Sequence, residues 1–167
     1  MNPPQPHEQS SWSHRYTDLV DGDVLDMLDK QASQFADFLL SIKHLSDHAY
    51  APGKWTIKEL AGHMIDTERV LVYRLMCFSR NEQQVLPGFD EDAYVANANF
   101  SERDMKDIAD EFRALRKANM YLFRSFTEEA LDRIGTSWQS KMSTRTLIYV
   151  CAGHVIHHTN IIKERYL

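Results

Sequence analysis

Apolar residues recur along this chain at helical spacing and divide it into four long segments. In the first, roughly residues 22–46, Leu25, Leu28, Ala32, Phe35, Leu39 and Ile42 fall three or four apart and share one helix face. Tyr50-Ala51-Pro52-Gly53 then breaks the run. The second opens at Thr56, where Thr56-Ile57-Lys58-Glu59 spells a capping box, and runs to about Arg80. Its apolar side carries Ile57, Leu60, Met64, Leu71 and Phe78. The third begins near Ser101, a good N-cap, and holds Met105, Ile108, Phe112, Leu115, Leu122 and Phe126, with Asn119 interrupting the seam. A short helical turn starts at Thr127, and 135–142 reads as a loop. The fourth helix covers about 143–165 on a seam of Leu147, Cys151, His154, His158 and Ile161.

Residues 81–100 make a connection of about twenty residues, long for a compact domain. Phe89, Tyr94 and Val95 predict that it packs on the body. The pattern predicts an all-α protein, a four-helix bundle with a long crossover between the second and third helices. Residues 21–167 form that single domain. Residues 1–20 are polar and carry Pro3, Pro4 and Pro6, which predicts a flexible N-terminal arm with Trp12 and Tyr16 as the side chains able to tie it down.

Composition strengthens the helical reading and narrows the function classes. The 167 residues include only 6 glycines and 5 prolines, so breakers are scarce. A net charge of −5 argues against nucleic acid as a partner. No run approaches the ~18 apolar residues of a membrane helix, and the N-terminus lacks the apolar stretch of a secretory signal. Cys77 and Cys151 show neither disulfide nor zinc-finger spacing, so a reduced, cytoplasmic protein is expected.

The chemistry lies in the fourth seam. His154 and His158, four apart, share a helix face about 5–6 Å from one another and point into the bundle. Buried imidazoles need partners, and two at this spacing can present nitrogens to one metal ion. A stable open site wants a third ligand, and His63 on the second helix is the best candidate. It sits about 10 Å from that helix's start, a level the fourth helix can match, most closely if the two run antiparallel. His44 and His48 repeat the spacing, but they fall at a helix end, where a cation is favourable anyway. His157 is rotated about 100° from His158 and supports the site or faces solvent. Cys151 is a core residue or a fourth ligand. Asp66 and Glu68 are the candidate catalytic carboxylates, to orient a ligand or act as a base; otherwise they are a solvated face. Arg74 binds an anionic substrate or pairs with Asp90 or Asp92, and the ion pair is the preferred reading.

The run Lys54-Trp55-Thr56-Ile57-Lys58-Glu59-Leu60-Ala61-Gly62-His63-Met64-Ile65-Asp66-Thr67-Glu68 resembles the second helix of the DinB-like (DinB/YfiT) superfamily. Leu86-Pro87-Gly88-Phe89-Asp90-Glu91-Asp92-Ala93-Tyr94 is similar to a loop in one branch of that family, and Gly153-His154-Val155-Ile156-His157-His158 to its closing helix. The resemblance covers about residues 20–167. It implies a four-helix bundle with a crossover, often a homodimer, with a metal held by one histidine of the second helix and a paired histidine motif of the last. Those positions are His63, His154 and His158 here.

Three neutral imidazoles leave the charge of a divalent ion uncompensated and coordination positions open, so bound water or thiol is acidified. Zn²⁺ and Ni²⁺ are the first candidates, with Fe²⁺ and Mn²⁺ also suited to imidazole. The expected function is a metal-dependent enzyme that activates water or a low-molecular-weight thiol against an electrophilic small molecule, of hydrolase or thiol S-transferase type. The resemblance implies both chemistries, with bacillithiol, mycothiol or glutathione as the thiol. The alternatives are a non-catalytic, metal-binding stress-response module, its site closed by Cys151, and a metal-free bundle.

Overall fold

Polar side chains at the helix starts set where each element begins. A computed structural model describes residues 1–167. A short helix α1 (His14–Thr17) precedes α2 (Val24–Ser41). Then come α3 (Ile57–Ser79), α4 (Glu91–Asn97), α5 (Met105–Arg124) and α6 (Glu128–Asp132). A hairpin of β1 (Ile134–Ser137) and β2 (Ser140–Ser143) leads into α7 (Thr144–Arg165). Asp23, Thr56, Asp104 and Ser143 cap the four long helices with side-chain oxygens, each worth about 1 kcal/mol. The box at Thr56 forms as expected: Thr56 N donates to Glu59 Oε2 at 2.7 Å and Glu59 N to Thr56 Oγ1 at 3.2 Å.

The architecture is the predicted four-helix bundle. α2 packs on α5 and α7, α3 packs on the same two, and α2 and α3 lie diagonally. Lys58 Nζ donates to the Ser101 carbonyl at the start of the pair, and Glu68 meets Arg116 further along, so α3 and α5 run parallel. The segment between them must return the length of the bundle, which is the crossover. α3 and α7 are antiparallel: Tyr166 Oη reaches the Trp55 carbonyl, while His63 stands beside His154 and His158. The apolar core forms two clusters, one including Leu28, Phe78, Phe123 and Leu147, the other Phe35, Leu60, Phe112 and Ile162. On every long helix a polar residue or backbone carbonyl between those clusters joins a buried network centred on Arg116.

Three expectations change. Residues 1–20, expected as a flexible arm, are packed on the bundle. Trp12 Nε1 donates to Ser140 Oγ at 3.1 Å, Thr146 Oγ1 donates to the Glu8 carbonyl at 2.9 Å, and Ser13 is fully buried. The crossover contains α4, capped by Asp90, and α5 starts at Met105 rather than near Ser101 because Asp104 takes the capping role. The loop expected at 135–142 is the hairpin, turned by Trp138 at a φ of 54° and joined by Leu86 beside Ser137.

Gly153 is what lets the N-terminal segment approach. A Cβ there would run into the Tyr16 carbonyl. Gly153→Ala is therefore expected to cost about 1–3 kcal/mol by overpacking. It should lower the urea midpoint of unfolding, and an unchanged midpoint would contradict the packing.

Candidate metal centre

His63 comes from the first half of α3, His154 from the middle of α7 and His158 from its second half, so the antiparallel pairing brings them level. One ring nitrogen from each lies within 4.8 Å of the others. His154 Nε2 and His158 Nε2 are 3.0 Å apart, and the three ring centroids are 4.4–5.2 Å from one another. Tetrahedral ligand nitrogens at 2.0–2.1 Å from an ion sit about 3.4 Å apart, so this donor set fits one divalent ion after small side-chain shifts. Thr67 Oγ1, one turn beyond His63, lies 3.4 Å from His63 Nδ1 and can accept a hydrogen bond from Nδ1–H, leaving Nε2 for a ligand. His158 Nδ1 is buried without a partner. Trp55 packs against His63 and Tyr16 against His154, fixing both rings.

All three rings are less than one-tenth exposed. Burial pushes His63 down to about 4 and His158 to about 3, with the neighbouring imidazoles adding to the effect on His158. His154 falls well below its ordinary value, again through burial first and His158 second. At neutral pH all three are uncharged, the state that binds metal. In metal-free protein the sign is fixed. The unfolded chain takes up these protons near pH 6.5 and the folded chain does not, so stability falls as pH drops through that window. His63 alone is expected to cost about 3 kcal/mol between pH 7 and 4. A urea midpoint independent of pH over that range in chelator-treated protein would contradict this.

The cluster opens on a cavity of about 810 Å³, within the usual range for small-molecule sites. All three tryptophans of the chain, Trp12, Trp55 and Trp138, line it, with Tyr16, Leu71 and Met142. The N-terminal segment and the hairpin thus supply much of the wall. Sequence reasoning missed this; Trp12 and Tyr16 were the only legible sign.

The other expected residues are dispersed. His157 lines the cavity and meets Tyr16 edge to face without joining the cluster. Cys151 is buried in the core, where burial and then Glu68 push its thiol up, and it does not join the three histidines. Glu68 is not a solvated face; it is 3% exposed and gripped by Arg116 and Asn119. Asp66 pairs with Arg69 at 3.5 Å near the surface, and neither carboxylate lines the cavity. His44 and His48 lie outside it as well. Arg74 does line it, and the preferred ion pair is absent: its Nη2 donates to the Pro87 carbonyl at 2.8 Å, while Asp90 caps α4.

Fold and site together describe a helical bundle with a buried three-histidine cluster at the side of an open cavity. The family model of the DinB superfamily matches residues 28–162, and the chain belongs to that superfamily. In structure it is similar to YfiT from Bacillus subtilis, described as a probable metal-dependent hydrolase with an unusual four-helix bundle topology. The TM-score is 0.74 at 16% identity, over 96% of this chain and 90% of that one. No curated protein matches the sequence. No helix is long and apolar enough to cross a membrane.

Proposed function

We propose that His63, His154 and His158 hold a divalent metal ion and that the protein is a metal-dependent enzyme acting on an electrophilic small molecule, by hydrolysis or by transfer to a low-molecular-weight thiol. The carrying observation is that three buried, neutral imidazoles line an open cavity and no further histidine, cysteine or carboxylate joins them. A non-catalytic structural site would be closed by a fourth ligand, and Cys151 is not placed to be one.

When bound, the ion supplies Lewis acidity that lowers the pKa of water or a thiol. The chain's own residues do the rest. Thr67 orients His63, and Trp55 and Tyr16 hold the rings against rotation. Trp12, Trp55 and Trp138 give the cavity apolar surface against which a substrate can pack. No protein thiolate is available there, because Cys151 is buried and protonated, so a thiol nucleophile must enter as a co-substrate. YfiT's description supports the water route, and a cavity of about 810 Å³, with room for two small molecules, supports the thiol route.

Elemental analysis of tag-free protein tests the ion: about one divalent metal per chain is expected. An activated-ester panel, assayed with and without added bacillithiol, mycothiol or glutathione, then separates the routes. Turnover independent of thiol marks a hydrolase; turnover that requires it marks a transferase. Tag-free protein that takes up no Zn²⁺ or Ni²⁺ overturns the proposal.

A further inference from the structure

Three arginines are buried in this protein, and they are not treated alike. Arg116 is paired with Glu68 at 2.7 Å. Arg145 is surrounded by Glu8, Glu128 and Asp132. Arg74, 8% exposed, has no carboxylate within 4.0 Å. Its single protein hydrogen bond is the one to the Pro87 carbonyl, and its guanidinium lies 5.8 Å from the Phe89 ring centre. A buried charge is ordinarily neutralised by a partner, because its desolvation is otherwise uncompensated. Nε and Nη1 of Arg74 have no protein acceptor, yet neither counts among the fully buried unsatisfied atoms, so both remain accessible. Arg74 is also one of the residues that line the cavity.

Its place along α3 gives the geometry. His63, Thr67, Leu71 and Arg74 follow one another on one helix face and all border the cavity. Their spacing of four, four and three places Arg74 about 16 Å of helix beyond His63. Leu71, Met142 and Val150, which belong to one apolar cluster, line the same cavity, as does Trp138. Asp90 and Glu91 also border the cavity but are solvent-exposed, and Asp90 is engaged at the start of α4. Arg15 borders it too, from the exposed side.

We infer that Arg74 is the anchor for an anionic group, a carboxylate above all, on an elongated substrate whose apolar middle lies over Leu71 and whose other end reaches the histidines. This deepens the function proposed above and rests on it for the reaction, while the binding measurement below does not depend on a metal. A guanidinium is suited to this because charge-assisted hydrogen bonds to a planar carboxylate are about twice as strong as neutral ones.

The test uses 4-phenylbutanoate and its neutral analogue 4-phenylbutanamide, titrated into chelator-treated protein and followed by tryptophan fluorescence. The acid is expected to bind about tenfold tighter than the amide in the wild type. In Arg74→Gln the two should bind alike, while Arg74→Lys keeps part of the preference. Arg15→Gln should leave it intact. Melting curves establish that the variants fold, and Arg74→Met replaces the glutamine variant if that one does not. Equal affinities in the wild type, no binding of either probe, or a preference that survives in Arg74→Gln overturns the inference. If the protein never takes up metal but the acid preference vanishes with Arg74, the metal proposal fails and the anion site stands.

Discussion

His154→Ala is expected to abolish metal binding while leaving the bundle folded. Losing a partner that only orients a ligand costs about 10–100-fold in metal affinity, and losing one of three direct ligands should exceed that. The thermodynamic signature is equally large. Metal at a hundred times its dissociation constant stabilises the native state by about 2.7 kcal/mol. In a chain of this size that raises Tm by roughly 5–10 °C. Wild-type protein should show the rise with added Zn²⁺ or Ni²⁺, and His154→Ala, His63→Ala and His158→Ala should not. His157→Ala should behave as wild type, since that ring stays outside the cluster. A rise retained in His154→Ala, or one lost in His157→Ala, would show that the donor set is drawn wrongly.

Much of this centre can be read from residue spacing, and the reasons are physical. His154 and His158 sit on an apolar seam at a four-residue interval, and helix geometry leaves little freedom in where such side chains point. Thr56 and Glu59 fix the start of α3, and therefore the height of His63. The antiparallel pairing of α3 and α7 is what spacing alone leaves open; the bonds between Tyr166 and Trp55 and the meeting of the rings decide it.

The misreadings share a cause, which is that short or polar segments gain their structure from tertiary contacts. The N-terminal residues look like an arm because they contain prolines and few apolar side chains. Yet Ser13 and Glu8 are buried against α7 and the hairpin, in a place opened by Gly153. The hairpin is four residues a side and turns on Trp138, without the Asn-Gly or Asp-Gly signal that marks a tight turn. Arg74 shows the same limit from the opposite direction. Asp90 and Asp92 are near enough in sequence to suggest a salt bridge, but Asp90 is used to start α4, and Arg74 lines the cavity with a backbone carbonyl as its hydrogen-bond partner. Glu68 could not be told from a surface carboxylate, because its partner lies 48 residues away on another helix.

That partner carries the second large effect. Arg116, fully buried, donates from Nε and Nη2 to the two carboxylate oxygens of Glu68 at 2.8 and 2.7 Å. Its Nη1 donates to Gln31 Oε1 at 2.8 Å, and Gln31 Nε2 donates to the Ala152 carbonyl at 3.0 Å. Asn119 Nδ2 completes the set with a bond to Glu68 Oε1 at 2.9 Å. All four long helices therefore meet in one polar layer, α2 through Gln31, α3 through Glu68, α5 through Arg116 and Asn119, and α7 through its backbone. Glu68→Ala leaves the guanidinium buried and unpaired, which is expected to cost about 3–5 kcal/mol. At roughly 2–4 °C per kcal/mol, Tm should fall by about 6–20 °C. Replacing both partners at once, Glu68→Leu with Arg116→Leu, should restore much of that loss, because it is the uncompensated charge, more than the absence of the pair, that destabilises. The same variants settle what Glu68 does. A network role predicts that folded Glu68→Ala binds metal within a few-fold of wild type, as a residue that lines neither the cluster nor the cavity should. A variant as stable as wild type but inactive would instead make Glu68 a group of the reaction, and would require the carboxylate to leave Arg116 during turnover.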